Sequence, residues 1–168
     1  RDGKYAFVAN GMSDSVTVID PVTKKVVKTI PVGKNPVGPW PGSDGVMYTD
    51  NEDGMSLSAI DATSLTVVRT YDLGFMPGMV ATVGPSELWI TNSDDGKVVF
   101  NATTMDKKTG EVTTGAGAHG LVLSTDGKTA YVTNQGANTV SVLDTAARTV
   151  KATLAVGKKP NGLVFRSR

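Results

Sequence analysis

His119 is the single histidine of the chain. An imidazole is the commonest side-chain metal ligand and the group most easily tuned for acid–base work near neutral pH. Met76 and Met79 flank a Pro-Gly pair, and thioethers beside an imidazole would suit a soft ion such as copper(I). Met12, Met55 and Trp40 are further members such a site could draw on. Each has an ordinary reading as well. Methionine fills irregular cores and loops, Trp40 shares a column with Ala81, Val122 and Val164 that reads as core, and one histidine often does no more than steady a loop.

Catalytic constellations are hard to assemble. No G-x-S-x-G elbow accompanies His119, and no glycine-rich phosphate loop follows a strand. Asp50 and Asp53 are the nearest candidates for a metal-dependent hydrolase, but two carboxylates in one segment do not make a ring of ligands. The Asp-Gly pairs at Asp2, Asp44, Asp53, Asp95 and Asp126 lack the spaced carboxylates of a calcium loop and read as tight turns. No residue is assigned a catalytic role.

The elements that must position these residues come from a repeat. Phe7-Val8-Ala9-Asn10, Tyr48-Thr49-Asp50-Asn51, Trp89-Ile90-Thr91-Asn92 and Tyr131-Val132-Thr133-Asn134 align, with asparagines 41, 41 and 42 residues apart. From Asn134 through the C-terminus and back to Asn10 is 44 residues. Twenty-three residues after each asparagine stands a glycine (Gly33, Gly74, Gly115, Gly157), and three further on Pro36, Pro77, Ala118 and Pro160. Ten after the asparagines come Asp20, Asp61, Ala102 and Asp144. Several columns in phase over four copies make the period firm.

Within a period the pattern reads as four short strands. The clearest copy has Gly120–Ser124, Ala130–Asn134, Val140–Val142 and Val150–Leu154, with a turn at Thr125-Asp126-Gly127-Lys128. The apolar columns Val16/Leu57/Val98/Val140 and Val18/Ala59/Phe100/Val142 run through all four. Abundant Val and Thr suit a pleated surface. A tandem four-stranded unit of this length is the signature of a β-propeller blade, which buries its faces only against its neighbours. The expectation is an all-β propeller of four four-stranded blades in one domain over residues 1–168. Its repeats are approximately 1–33 plus 160–168, 34–74, 75–115 and 116–157. Two departures are expected to show. Ala102 and the stretch Met105–Gly110 predict a frayed outer edge in the third repeat, and Gly38-Pro39-Trp40-Pro41 predicts a short or distorted inner strand in the second.

Tyr131-Val132-Thr133-Asn134, with Asp126-Gly127-Lys128 and the Gly157-x-x-Pro160 step, resembles the YVTN β-propeller repeats of surface-layer and periplasmic proteins. The resemblance spans essentially the whole chain. It implies an extracytoplasmic location, periplasmic or secreted, and a non-catalytic binding scaffold. Related propellers of nitrite reductases hold haem on axial histidines, but this chain has one histidine and no haem-attachment motif.

Gly162-Leu163-Val164-Phe165 has the sequence of an inner strand and Asp2-Gly3-Lys4 that of the turn that follows one. The two ends are therefore expected to close one blade; two chains exchanging these strands into an eight-bladed homodimer are the alternative to a monomer. A start at Arg1 rather than Met fits either a mature form without its signal peptide or a piece of a longer protein.

In propellers the loops joining successive blades gather at one mouth of the central channel. Here they are Gly33–Val37, Gly74–Gly78, Gly115–His119 and Gly157–Asn161. The expected ligand-binding residues are His119, Asn161, Val37, Gly78 and Asn35, with His119, Met76 and Met79 as the metal set. The cofactor is open, with copper the ion the donor set favours. The partner is an unidentified protein or small molecule. Seventeen basic and sixteen acidic residues give a net charge of +1, so the electrostatic footprint of a nucleic-acid binder is missing. No apolar run approaches the length of a membrane span. The absence of cysteine rules out disulfides and thiolate metal sites and leaves the compartment open.

Overall fold

The computed structural model describes residues 3–42 and 45–166. Asp2 and Asp44, two of the turn residues singled out above, lie outside them. The chain falls into two compact units, Arg1–Met76 and Pro77–Arg168.

The first unit holds β1 (Ala6–Asn10), a 3-10 turn (Gly11–Ser13), β2 (Ser15–Asp20), β3 (Lys25–Pro31), β4 (Pro36–Pro41), β5 (Val46–Asn51), β6 (Ser56–Asp61) and β7 (Thr66–Asp72). They form a three-stranded sheet, β1-β2-β3, and a four-stranded one, β4-β5-β6-β7. The second unit holds β8 (Pro77–Val83), β9 (Glu87–Asn92), β10 (Lys97–Ala102), β11 (Lys108–Thr113), β12 (Ala118–Leu123), β13 (Thr129–Asn134), β14 (Thr139–Asp144) and β15 (Thr149–Ala155). These make two four-stranded sheets in sequential order. Every neighbouring pair is antiparallel. The four repeats are four blade-like sheets. Among the described residues the first has three strands, and residues 160–166 carry no strand. Completion of that blade by Gly162–Phe165 thus remains a proposal.

The asparagine column explains why the period is legible. Asn134 ends β13, is fully buried, and donates through Nδ2 to Thr139 Oγ1 at 3.0 Å and Ser141 Oγ at 2.9 Å on β14. Asn51 does the same to Ser56 (3.1 Å) and Ser58 (3.0 Å), and Asn10 to Ser15 (3.2 Å) and Thr17 (2.8 Å). At two of its four positions the glycine column closes over the amide. A Cβ on Gly33 would stand 2.6 Å from Asn51 Cγ, and one on Gly115 2.9 Å from Asn134 Cγ. The third repeat carries Lys97 and Val99 where the hydroxyls stand. Asn92 therefore turns to its own loop, donating to Asp95 Oδ2 at 3.3 Å and accepting the Asp95 N–H at 3.1 Å.

The aspartate column caps the hairpins between third and fourth strands. Asp20 Oδ1 accepts the N–H groups of Val22 and Thr23, Asp61 those of Thr63 and Ser64, and Asp144 those of Ala146 and Ala147. These bonds favour the ionised carboxylate, so all three groups titrate below the ordinary aspartate range. Their stabilisation is present above the unfolded-state value and is lost as pH falls through the depressed one.

Each unit has its own core, built between successive sheets. Val16, Val18 and Ile30 meet Ile60 and Leu65 in the first. Trp89, Val98 and Phe100 meet Ala118, Leu121, Ala130, Val132 and Leu143 in the second. Of the two apolar columns, only Val140 and Val142 of the fourth repeat are half-buried rather than buried. Their row continues through Tyr131 and Val122, and Phe165 of the C-terminal segment stacks on Tyr131 with ring centroids 5.8 Å apart.

The third repeat is less frayed than its sequence suggests. β11 forms, one residue shorter than β3, β7 and β15. Lys97 and Lys108 both reach Glu111, and Arg148 pairs with the half-exposed-to-buried Glu87, which also accepts from Trp89 Nε1 and Thr109 Oγ1. β4 forms over six residues, as long as β12, with an irregularity in its pairing to β5 between Pro36 and Pro39. It is an edge strand of its sheet, where prolines leave few ladder bonds unmade.

Replacing Asn134 by alanine removes two buried hydrogen bonds and opens a cavity under Gly115. It should cost about 2–4 kcal/mol of stability in denaturant unfolding. The same change at Asn92, which has no hydroxyl pair beneath it, should cost markedly less.

Candidate functional site at the blade-joining loops

The predicted residues lie where the glycine step turns one sheet into the next. Gly78 lies on β8, His119 on β12, and Asn161 in the segment that follows β15. Within the second unit their backbones sit side by side. A Cβ on Gly78 would stand 2.9 Å from the His119 carbonyl oxygen, and one on Gly120 2.5 Å from that of Asn161. Glycine at 78 and 120 is what lets these segments approach so closely. His119 is half-buried, Asn161 exposed and Gly78 buried.

In the first unit, Asn35 and Val37 flank Pro36 at the start of β4. Val37 is 46% exposed. Asn35 adopts φ 52°, its N–H donates to Asp14 Oδ1 at 2.9 Å, and its carbonyl accepts the Glu52 N–H at 3.1 Å. Lys159 repeats the arrangement with φ 48° and an N–H donated to Asn138 Oδ1. Asn35 thus has a structural duty, since a left-handed residue is needed there and asparagine tolerates it.

Met76 belongs to the first unit and Met79 to the second. Met79 Sδ accepts the Leu121 N–H at 3.3 Å, and the side chain packs against the Trp89 core. Met12 and Met55 are exposed. Trp40 is half-buried rather than core. Its indole lies over Gly38 and donates Nε1–H to Asp50 Oδ1 at 3.0 Å. Asp50 is buried and Asp53 exposed, so the two carboxylates do not face a common point. Among the described residues no three His, Asp or Glu side chains gather as a metal group.

Sequence reasoning passed over what aligns these loops: the residue just before each asparagine. Thr133 Oγ1 accepts the Gly120 N–H at 2.7 Å and donates to the Asn161 carbonyl at 2.9 Å. Thr91 Oγ1 accepts the Met79 N–H at 2.7 Å and donates to the His119 carbonyl at 2.7 Å. Each hydroxyl ties the inner strand of its own sheet to the corresponding segment of the next, and so fixes the residues that face the site. The column reads Ala9, Asp50, Thr91, Thr133, a hydroxyl in two of four copies, which by itself marks no role.

In the second repeat that slot holds a carboxyl. Asp50 Oδ1 accepts from the Gly38 N–H at 2.9 Å and from Trp40 Nε1, while Oδ2 is buried with no hydrogen-bond partner. Burial pushes Asp50 up to about 7 against the pull of those two donors.

Sheets of this order joined by such a step define a β-propeller fold, and comparison with solved structures agrees. The chain is similar to Kuenenia stuttgartiensis hydrazine synthase (TM-score 0.82, 22% identity, 92% of this chain and 47% of that one). It is also similar to a functionally unknown protein from Desulfotomaculum acetoxidans (0.83, 16%, 97% and 56%) and to virginiamycin B lyase from Staphylococcus aureus (0.79, 14%, 94% and 55%). It spans about half the length of these chains. By sequence it matches no family model and no curated protein.

Thr133→Val removes both ends of the hydroxyl bridge and leaves a buried N–H unpaired, which should cost about 1–3 kcal/mol. The loss should appear locally as faster amide exchange at Gly120 and a weakened ring contact between Phe165 and Tyr131 in NMR spectra.

Proposed function

We propose that this chain is a non-catalytic, extracytoplasmic propeller of the YVTN type that binds a protein or small-molecule partner on its blade-joining loops. The observation that carries the reading is the hydroxyl bridge. Thr91 and Thr133 hold the main chain at His119 and Asn161 in fixed register, so side chains at those positions vary on a rigid frame. Binding residues on loops set by a rigid scaffold are the usual way a repeat fold acquires a partner. The YVTN resemblance supports the binding role and the location. Closure of the first blade by Gly162–Phe165, in one chain or between two, belongs to the same reading.

The alternative places a metal or cofactor on His119. Its support is the Met79 sulfur, seated on the β12 backbone two residues beyond His119.

Metal analysis of the purified chain, a Cu(I) competition against a chelator, and a solution mass measurement separate these readings. The scaffold reading expects no stoichiometric metal and no change on His119→Ala, together with capture of a partner that the doubly substituted His119→Ala, Asn161→Ala chain fails to hold. Stoichiometric copper lost in His119→Ala would overturn it in favour of the metal site.

A further inference from the structure

Two asparagines of the chain are followed by glycine, Asn10 and Asn161. In such a pair the glycine amide nitrogen can attack the side-chain carbonyl carbon. No β-carbon shields that nitrogen, and the backbone turns easily into the attacking geometry. The fold treats the two pairs oppositely.

Asn10 is half-buried at the end of β1, and its Nδ2 is held by Ser15 Oγ at 3.2 Å and Thr17 Oγ1 at 2.8 Å. Swinging the amide onto the Gly11 nitrogen would break both bonds. Gly11 is crowded as well, since a Cβ there would stand 2.7 Å from Asn35 Oδ1. Asn161 and Gly162 are both exposed, and a Cβ on Gly162 would meet nothing within 4 Å. Among the described residues neither the Asn161 side chain nor the Gly162 N–H makes a hydrogen bond.

The repeat sharpens the contrast. Gly38, Met79, Gly120 and Gly162 stand at equivalent positions. The first three give their N–H to Asp50, Thr91 and Thr133. The matching residue of the first repeat is Ala9, whose side chain has no acceptor. Gly162 N–H therefore gains no side-chain partner even where the C-terminal segment completes that blade. Thr133 meanwhile donates to the Asn161 carbonyl at 2.9 Å, and that carbonyl shares a peptide unit with Gly162 N–H. The bond polarises the unit and eases loss of the amide proton.

We propose that Asn161-Gly162 is a self-modification site, at which the blade-joining segment converts from amide to acid with time. Gly162 N gives its proton to solvent and bonds to Asn161 Cγ; the Cγ–Nδ2 bond breaks and ammonia leaves. Water then opens the five-membered imide. Opening at Cγ yields aspartate, and opening at the main-chain carbonyl yields isoaspartate, whose main chain runs through the former side chain. Either product adds one negative charge and takes the net charge from +1 to zero. Aspartate leaves the course of the chain as it was. Isoaspartate inserts a methylene ahead of Gly162, which shifts Leu163 from its seat at Gly120 and Phe165 from Tyr131. The site goes beyond the binding reading and stands without it.

The test holds the full folded chain in buffer between pH 6 and 8. Peptide mass mapping, with chromatographic separation of aspartate and isoaspartate forms, follows both pairs. Acid should accumulate at 161 faster as pH rises, and on the order of tenfold faster than at Asn10. In denaturant the two pairs should convert at similar rates. Gly162→Ala should slow conversion at 161 about tenfold, and its added methyl meets no atom that would oppose folding. NMR spectra of the isoaspartate fraction should lack the Tyr131–Phe165 ring contact that the aspartate fraction keeps. A folded chain that retains its amide at 161, equal rates at 10 and 161, or a Gly162→Ala chain that converts as fast as wild type would each overturn the proposal.

Discussion

The second and fourth blades each hang on one buried amide. The asparagine that ends the second strand spends its Nδ2 protons on two hydroxyls of the third, and the glycine of the inter-blade step lies flat on top of it. That arrangement joins three constraints. It sets the register between the second and third strands, because only one alignment brings both hydroxyls under the amide. It forbids a side chain at the step, because a Cβ there would overlap the amide. It places the turn into the next inner strand at a fixed height, so the loop residues behind it arrive at equivalent positions. A buried amide left without partners would be expensive, which is why the hydroxyls travel with the asparagine and are replaced only where the amide has found another partner.

Much of this was legible. The asparagine, glycine and aspartate columns each mark a local interaction confined to one repeat or one step, and such interactions leave residues at fixed offsets. The strands of the second, third and fourth repeats followed from apolar runs and turn signals; the observed β12 to β15 enclose the expected segments nearly to the residue. What was misjudged depended on partners distant in sequence. β11 looked frayed because its own residues are poor, and it is held by Lys97 of β10 through Glu111 and by Arg148 of the following blade, which donates to the Thr109 carbonyl. Trp40 looked like core from its column, yet the indole is drawn away by Asp50.

The site was legible only in part. Counting from the asparagine put Gly78, His119 and Asn161 at equivalent positions, and the structure brings their backbones together within the second unit. The donor set for a soft metal was assembled by residue type, and of its sulfurs Met79 lies beside β12, where it accepts the Leu121 N–H. The threonines that align the loops were overlooked because Thr in a β-rich sequence carries no signal by itself. Their role shows only when the hydroxyl is seen bridging two strands.

The asparagine set has a consequence for how such a chain can change over time. The amide and its two hydroxyls depend on one another, so the hydroxyls are expected to change together. Lys97 and Val99 show both replaced at once while Asn92 stays, with Asp95 recruited to rescue the amide. Blades can therefore diverge freely in the loops that follow, while the joint either keeps its hydroxyl pair or supplies the amide with another partner.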